Sequence, residues 1–158
     1  MRRIGIFLIL CVIATGFCFG QLPHTFTQYT SEDGLSQNTI MSILQDDKGV
    51  MWFATWDGLY KFDGYTFNNY KAHPGDSIGL SNNRLDNIKE DRYGYIWVQS
   101  YNHQVYRFNP RLERFQAIPY DNYLSLDMYV LPCGDVWIIT VQNELIHIST
   151  HPETHEMK

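Results

Sequence analysis

The sequence predicts an all-β chain in which one four-stranded unit is used repeatedly. Three observations carry this: aromatic richness, a recurring tryptophan with fixed neighbours, and turn signals at hairpin spacing. The chain has 158 residues, near the size of one domain. Trp, Tyr and Phe make up 15% of it, which suits β-structure and excludes a disordered chain.

Trp52, Trp97 and Trp137 lie 45 and 40 residues apart. Each has a glycine three residues before it (Gly49, Gly94, Gly134) and a hydroxyl residue three after it (Thr55, Ser100, Thr140). Each also has apolar residues on both sides. These positions are read as a structural repeat, with all three indoles in the core. Upstream, Leu35-Ser36, Leu80-Ser81 and Leu124-Ser125 recur. Downstream, Leu59 to Asp63 answers Val105 to Asn109 and Leu145 to Ser149.

Each unit divides into four short strands. In unit one the first runs near Ile40–Gln45, and an Asp-Asp-Lys-Gly turn follows, with Gly49 free to take positive φ. The second, Met51–Thr55, is apolar on both faces, as a sheet interior requires. Trp56-Asp57-Gly58 turns the chain into Leu59–Phe62, and Asp63-Gly64 turns it again into Thr66–Tyr70. Four strands in about 40–45 residues is the spacing of a β-propeller blade. A β-sandwich is disfavoured by the repeat itself.

The expected organisation is a partial β-propeller of about three four-stranded antiparallel blades. An N-terminal outer strand, 21–33, is centred on Phe26–Tyr29, and blades follow at 34–78, 79–122 and 123–158. The third is incomplete and departs from the pattern. Ser36 and Ser81 precede their tryptophans by sixteen residues but Ser125 by twelve, and Leu131 stands where the others have Asp46 and Asp91. Propellers need about four blades to close, so the expectation is the N-terminal piece of a larger ring. The alternative is a short chain whose copies assemble to complete one. The neighbours of these units are therefore the remaining blades or a second protomer.

Residues 1–20 read as a secretory signal peptide: Met1-Arg2-Arg3, then an apolar run from Ile4 to Phe19, then Gly20 before a polar stretch. An uncleaved anchor is the alternative, disfavoured by the short apolar run. Cleavage leaves Cys133 as the one remaining cysteine, so no internal disulfide is available. It also leaves ten basic residues against seventeen acidic ones, which excludes an electrostatic footprint for nucleic acid or anionic lipid. The compartment is extracytoplasmic, read as periplasmic.

Alternate connections of an up-and-down blade emerge at one end of the sheet. The loop before the first strand and the loop after the second therefore share a face. That face collects Trp56, Asp57, Tyr101, Asn102 and His103, with Gln142 and Asn143 from unit three. Flat rings stack on sugar C–H faces, and carboxylates and amides bond hydroxyls. These residues are the candidate ligand site, with an oligosaccharide as the ligand. Their other reading is as ordinary turn residues.

Gly34-Leu35-Ser36-Gln37-Asn38 followed by Gly49 to Asp63 resembles the two-component regulator propeller repeat. That pattern runs Gly-x-hydrophobic-Trp-hydrophobic-x-Thr-x-x-Gly-Leu, then an aromatic and Asp. Unit one matches almost throughout. Unit two keeps Asp91, Gly94, Trp97, Ser100, Tyr106 and Phe108, and unit three keeps Gly134, Trp137, Thr140 and Leu145. The resemblance implies the extracytoplasmic sensor of a hybrid two-component regulator, where paired propellers precede a membrane helix, a histidine kinase and a DNA-binding regulator. Many such sensors respond to glycan fragments. No kinase, receiver or DNA-binding segment is expected within these residues, so the chain is read as non-enzymatic and without a cofactor.

Three chemistries fit less well. Asp47 to Trp52 is similar to the Asp-box turn of sialidases, but no arginine cluster or tyrosine nucleophile accompanies it. Glycosidase chemistry needs two carboxylates at controlled separation, and nothing pairs Asp57, Asp63 or Asp86. His147, His151 and His155 have helical metal-ligand spacing, but Pro152 breaks such a helix, and no metal is expected.

Overall fold

The computed structural model describes residues 25–36, 39–72, 79–118, 120 and 122–158. The leader reading falls outside these residues. Among the described residues eleven strands form three antiparallel sheets in chain order. The first is β1 (Ile40–Gln45), β2 (Met51–Thr55), β3 (Gly58–Phe62) and β4 (Phe67–Tyr70). The second is β5 (Leu85–Glu90), β6 (Ile96–Ser100), β7 (Val105–Asn109) and β8 (Arg114–Ala117). The third is β9 (Ser125–Val130), β10 (Val136–Thr140) and β11 (Leu145–Ile148). Each sheet is an up-and-down meander whose strands pair with their sequence neighbours, and among the described residues no sheet closes on another. This is a partial β-propeller. No helix of the described residues is long and apolar enough to cross a membrane.

The turn before each tryptophan strand depends on its glycine. Gly49, Gly94 and Gly134 have φ of 82°, 79° and 98°, a region that a Cβ opposes. In the first two sheets that turn also carries an aspartate. Asp46 accepts the backbone N–H of Lys48 and Val50 and, at 2.9 Å, the indole N–H of Trp52. Asp91 does the same for Tyr93 and Tyr95, and for Trp97 at 2.9 Å. One carboxylate thus shapes the turn and satisfies a buried indole donor.

The sheets stack through two apolar layers. Trp52, Ala54 and Leu59 of the first sheet pack on Leu85, Ile88, Ile96, Val98 and Phe108 of the second. The Trp52 and Phe108 rings meet edge-on at 5.6 Å. The opposite face of the second sheet, with Trp97 and Val105, packs on Met128, Val136, Ile138 and Ile148 of the third. The tryptophan face of each sheet therefore receives the opposite face of the next. Leu35 and Leu80 are both buried, Leu80 within the layer between the first two sheets. The serine after each bonds the tyrosine of the third strand, Ser36 to Tyr60 and Ser81 to Tyr106.

The third sheet corrects two expectations. Trp52 and Trp97 are core, 1% and 0% exposed, but Trp137 is 37% exposed. No further sheet covers its face among the described residues; it stacks instead on His147, 4.4 Å between ring centres. Leu131 stands at the aspartate position and offers the indole no carboxylate. Second, Leu124-Ser125 is not the third copy of Leu35-Ser36. Strand pairing aligns Ser125 with Leu85 and Ile40, and all three lie twelve residues before their tryptophan. The unit is regular, and the apparent shortening came from a chance dipeptide. Ile146 occupies the Tyr60 and Tyr106 position and has no hydroxyl for a serine to meet. Among the described residues no strand follows β11. The chain folds back through Ser149–Lys158 backbone bonds and one isolated bridge, Thr150 to Met157.

At the other end, the outer strand expected around Phe26–Tyr29 is not formed in residues 25–30. Tyr29 packs its ring on Phe62 and Phe67 instead, at 5.0 and 5.7 Å. A capped 3-10 turn, Ser31–Asp33, then leads to Gly34 in the left-handed region.

Candidate functional site

The loops expected to share a face do so. Ser36, before β1, donates to Asp57, after β2, at 2.8 Å. Tyr101, after β6, donates its backbone N–H to the carbonyl of Arg84, before β5, at 2.9 Å. Val141 repeats this bond to Leu124 in the third sheet. Adjacent sheets are tied at the same level, by Gly58 N–H to the Asn83 carbonyl at 2.8 Å and Ser125 N–H to the His103 carbonyl at 2.8 Å. Gln37 and Asn38 lie outside the described residues.

Much of the polar chemistry on this face is already engaged. Asp57 forms a salt bridge with Lys71 at 2.6 Å and also accepts from Ser36 and Tyr60. Partial burial works against its charge, but the bonds from Lys71 and Ser36 and the lysine's charge outweigh it. The carboxyl is held below the ordinary range. Asn102 accepts from Ser100 and donates to Ser81 at 3.0 Å. His103 has φ of 64° and places Nδ1 2.9 Å from the Ser125 carbonyl. Asn143 takes the same left-handed turn position, at 61°. Asn and His tolerate that region better than most residues. Of these side chains His103 reaches across a sheet junction, while Asp57 and Asn102 brace the loops of their own units.

The two rings stay open. Trp56 is 42% exposed and Tyr101 51% exposed. They are joined by a residue that the motif reading passed over. The Arg84 guanidinium carbon lies 4.1 Å from the Trp56 ring centre and 3.7 Å from that of Tyr101. One cation thus bridges two aromatic turns from adjacent sheets. The signal available in the sequence was positional. Thr39, Arg84 and Leu124 each precede a first strand, and only Arg84 sits where the flanking turns both carry a ring.

The three histidines with metal-like spacing go to different places. His147 faces Trp137 and bonds Asp135 at 3.1 Å. His151 caps its own turn, and His155 lies against Tyr93 and Tyr95. Among the described residues no three His, Cys, Asp or Glu side chains gather as a metal site requires. Asp63 caps its own hairpin through Tyr65 and Thr66. Cys133 is exposed and free in the turn before β10.

Fold and loop face together define a propeller module whose successive blades present loops at one end. Residues 34–57 match the two component regulator propeller family model, so the chain carries that repeat. A histidine kinase (P4) of Formosa agariphila is 40% identical over 83 residues, 51% of this chain and 6% of that protein. The extracellular domain of a putative hybrid two component system from B. thetaiotaomicron shares the fold over 84% of this chain and 19% of that one, with a TM-score of 0.65 and 24% identity. PorZ, a surface component of the type-IX secretion system of Porphyromonas gingivalis, shares it over 74% of this chain and 18% of that one, with a TM-score of 0.56 and 15% identity. The chain therefore spans a small fraction of the length of each of these proteins.

Proposed function

We propose that the chain is an extracytoplasmic ligand-binding propeller module of a two-component sensor. It is exported to the periplasm, and it recognises glycan fragments on the face bearing Trp56 and Tyr101. It binds and does not catalyse; any kinase activity belongs to other parts of such a sensor. The observation that carries this reading is the pair of half-exposed rings on successive blades, held at one level by Arg84. Rings so placed offer apolar area to sugar C–H faces at low entropic cost. Asp57, Asn102 and His103 frame the site and set its loop geometry.

The test is an oligosaccharide panel applied to the chain and to Trp56→Ala and Tyr101→Ala, with calorimetry on any ligand found. The expected result is a bound oligosaccharide whose affinity falls in both variants while their melting temperatures stay near that of the parent. Unchanged affinity in both removes the assignment. A second reading, a scaffold that binds protein or a second protomer, draws on the exposed apolar face of Leu126, Tyr129, Trp137 and Ile139. No saccharide bound by the chain, together with a discrete oligomer in light scattering, would favour it.

A further inference from the structure

We propose that Arg84 is the centre of an oxyanion-binding subsite on the loop face. The saccharide recognised there is an acidic one, carrying a carboxylate or a sulfate ester. This rests on the saccharide reading of that face and adds the class of ligand.

The site is built before any ligand arrives. The Arg84 backbone is held at both ends, its N–H by the Asn82 side-chain oxygen at 2.9 Å and its carbonyl by Tyr101 N–H at 2.9 Å. The preceding residue, Asn83, is fastened to Gly58, two positions after Trp56. The same short segment is thereby tied to both ring-bearing turns. The guanidinium lies against Trp56 and Tyr101, which orders a side chain otherwise costly to immobilise.

Among the described residues the Arg84 side chain makes no hydrogen bond. Nε is enclosed and has no partner, and no carboxylate among the described residues pairs with the group. Asp57, the acid on this face, is taken by Lys71. An arginine stacked on rings keeps its charge and its planar fork of N–H donors. That fork matches a carboxylate or sulfate in bidentate geometry. Ring area beside it remains open for the sugar that carries the anion.

The fold does not demand this arginine. At the next junction Leu124 and Val141 stand in the places of Arg84 and Tyr101, with the same backbone bond between them. At the first sheet the position is Thr39. The junction forms with a leucine, so the cation is an addition to the repeat.

The test follows the arginine Nε–Hε resonances of the full chain by NMR. The probes are glucuronic acid, glucose 6-sulfate, glucose and sodium sulfate at matched ionic strength. The Arg84 signal is identified by its loss in Arg84→Gln. It should shift saturably with glucuronic acid, glucose 6-sulfate or both, and not with glucose. Glucuronic acid alone would identify a carboxylate ligand, and glucose 6-sulfate alone a sulfate ester. Arg84→Gln should weaken the acidic probe about tenfold or more, the scale of a charge-assisted hydrogen bond. The wild-type titration needs no variant to fold. If glucose shifts the Trp56 and Tyr101 signals while neither acid moves Arg84, this inference fails and the saccharide reading stands. If sodium sulfate acts as strongly as the sugar acids, the site takes a bare anion and the saccharide assignment is overturned. If no probe moves any of the three, both fall.

Discussion

Strands β6 and β10 have nearly the same composition and opposite surroundings. Ile96-Trp97-Val98 is buried on both faces, because the second sheet lies between two others. Val136-Trp137-Ile138-Ile139 alternates buried and exposed, because the third sheet is packed on one side among the described residues. The aspartate follows the same division. Asp91 is itself buried where it meets the indole of Trp97, while Leu131 replaces it where the indole is open. A repeat fixes which positions can be core. Whether a given copy is core depends on having a neighbour.

This contrast orders the expected effects of substitution. Trp97→Ala should be the most damaging, about 3–5 kcal/mol by chemical denaturation, since it empties a sealed layer and strands a buried carboxylate. Trp137→Ala should cost far less, below about 1 kcal/mol, because its indole already meets water. Equal losses would dissolve the distinction between the two sheets.

Asp91→Ala comes next. It removes one acceptor from three donors, two backbone N–H groups and the Trp97 indole, and should cost about 2–3 kcal/mol in the same assay. Leu131→Asp adds a carboxylate beside an open indole and should change stability by less than about 0.5 kcal/mol.

A smaller effect depends on pH. Glu90, in the turn region between the first two sheets, is pushed up to about 7 by burial and by the charges of Asp47 and Asp46. Folding raises this group, so its stabilising contribution is complete below pH of about 4.5 and is lost as pH rises through 7. Glu90→Gln should therefore be more stable than the parent at pH 8, by about 1 kcal/mol, and show no gain at pH 4. A gain of the same size at both pH values would place the cause in packing and not in charge.

The first sheet was readable in the chain almost residue by residue. β1 and β2 run over the expected spans, because their turns carry local signals: glycine at positive φ and an aspartate able to cap it. What local signals could not report was partnership between distant segments. Leu124-Ser125 looked like Leu80-Ser81, but register is set by pairing with β10, which places Ser125 opposite Thr140. Phe26–Tyr29 shares its end residues with β4, Phe67–Tyr70, but it forms no strand pairing and rests Tyr29 on Phe62 and Phe67. Trp137 had the glycine, hydroxyl and apolar neighbours of the repeat, but burial needs a second sheet. At the loop face, Trp56 and Tyr101 were visible as exposed rings. Arg84 was not, because its role comes from two turns converging on it across a sheet junction.

Hydrogen exchange of the four indole N–H groups of the intact chain tests the stacked-sheet account most directly. Trp52 and Trp97, each bonded to its aspartate beneath a neighbouring sheet, should exchange slowly, with Trp56 and Trp137 fast beside them. Trp52 and Trp97 exchanging as fast as Trp56 would contradict it.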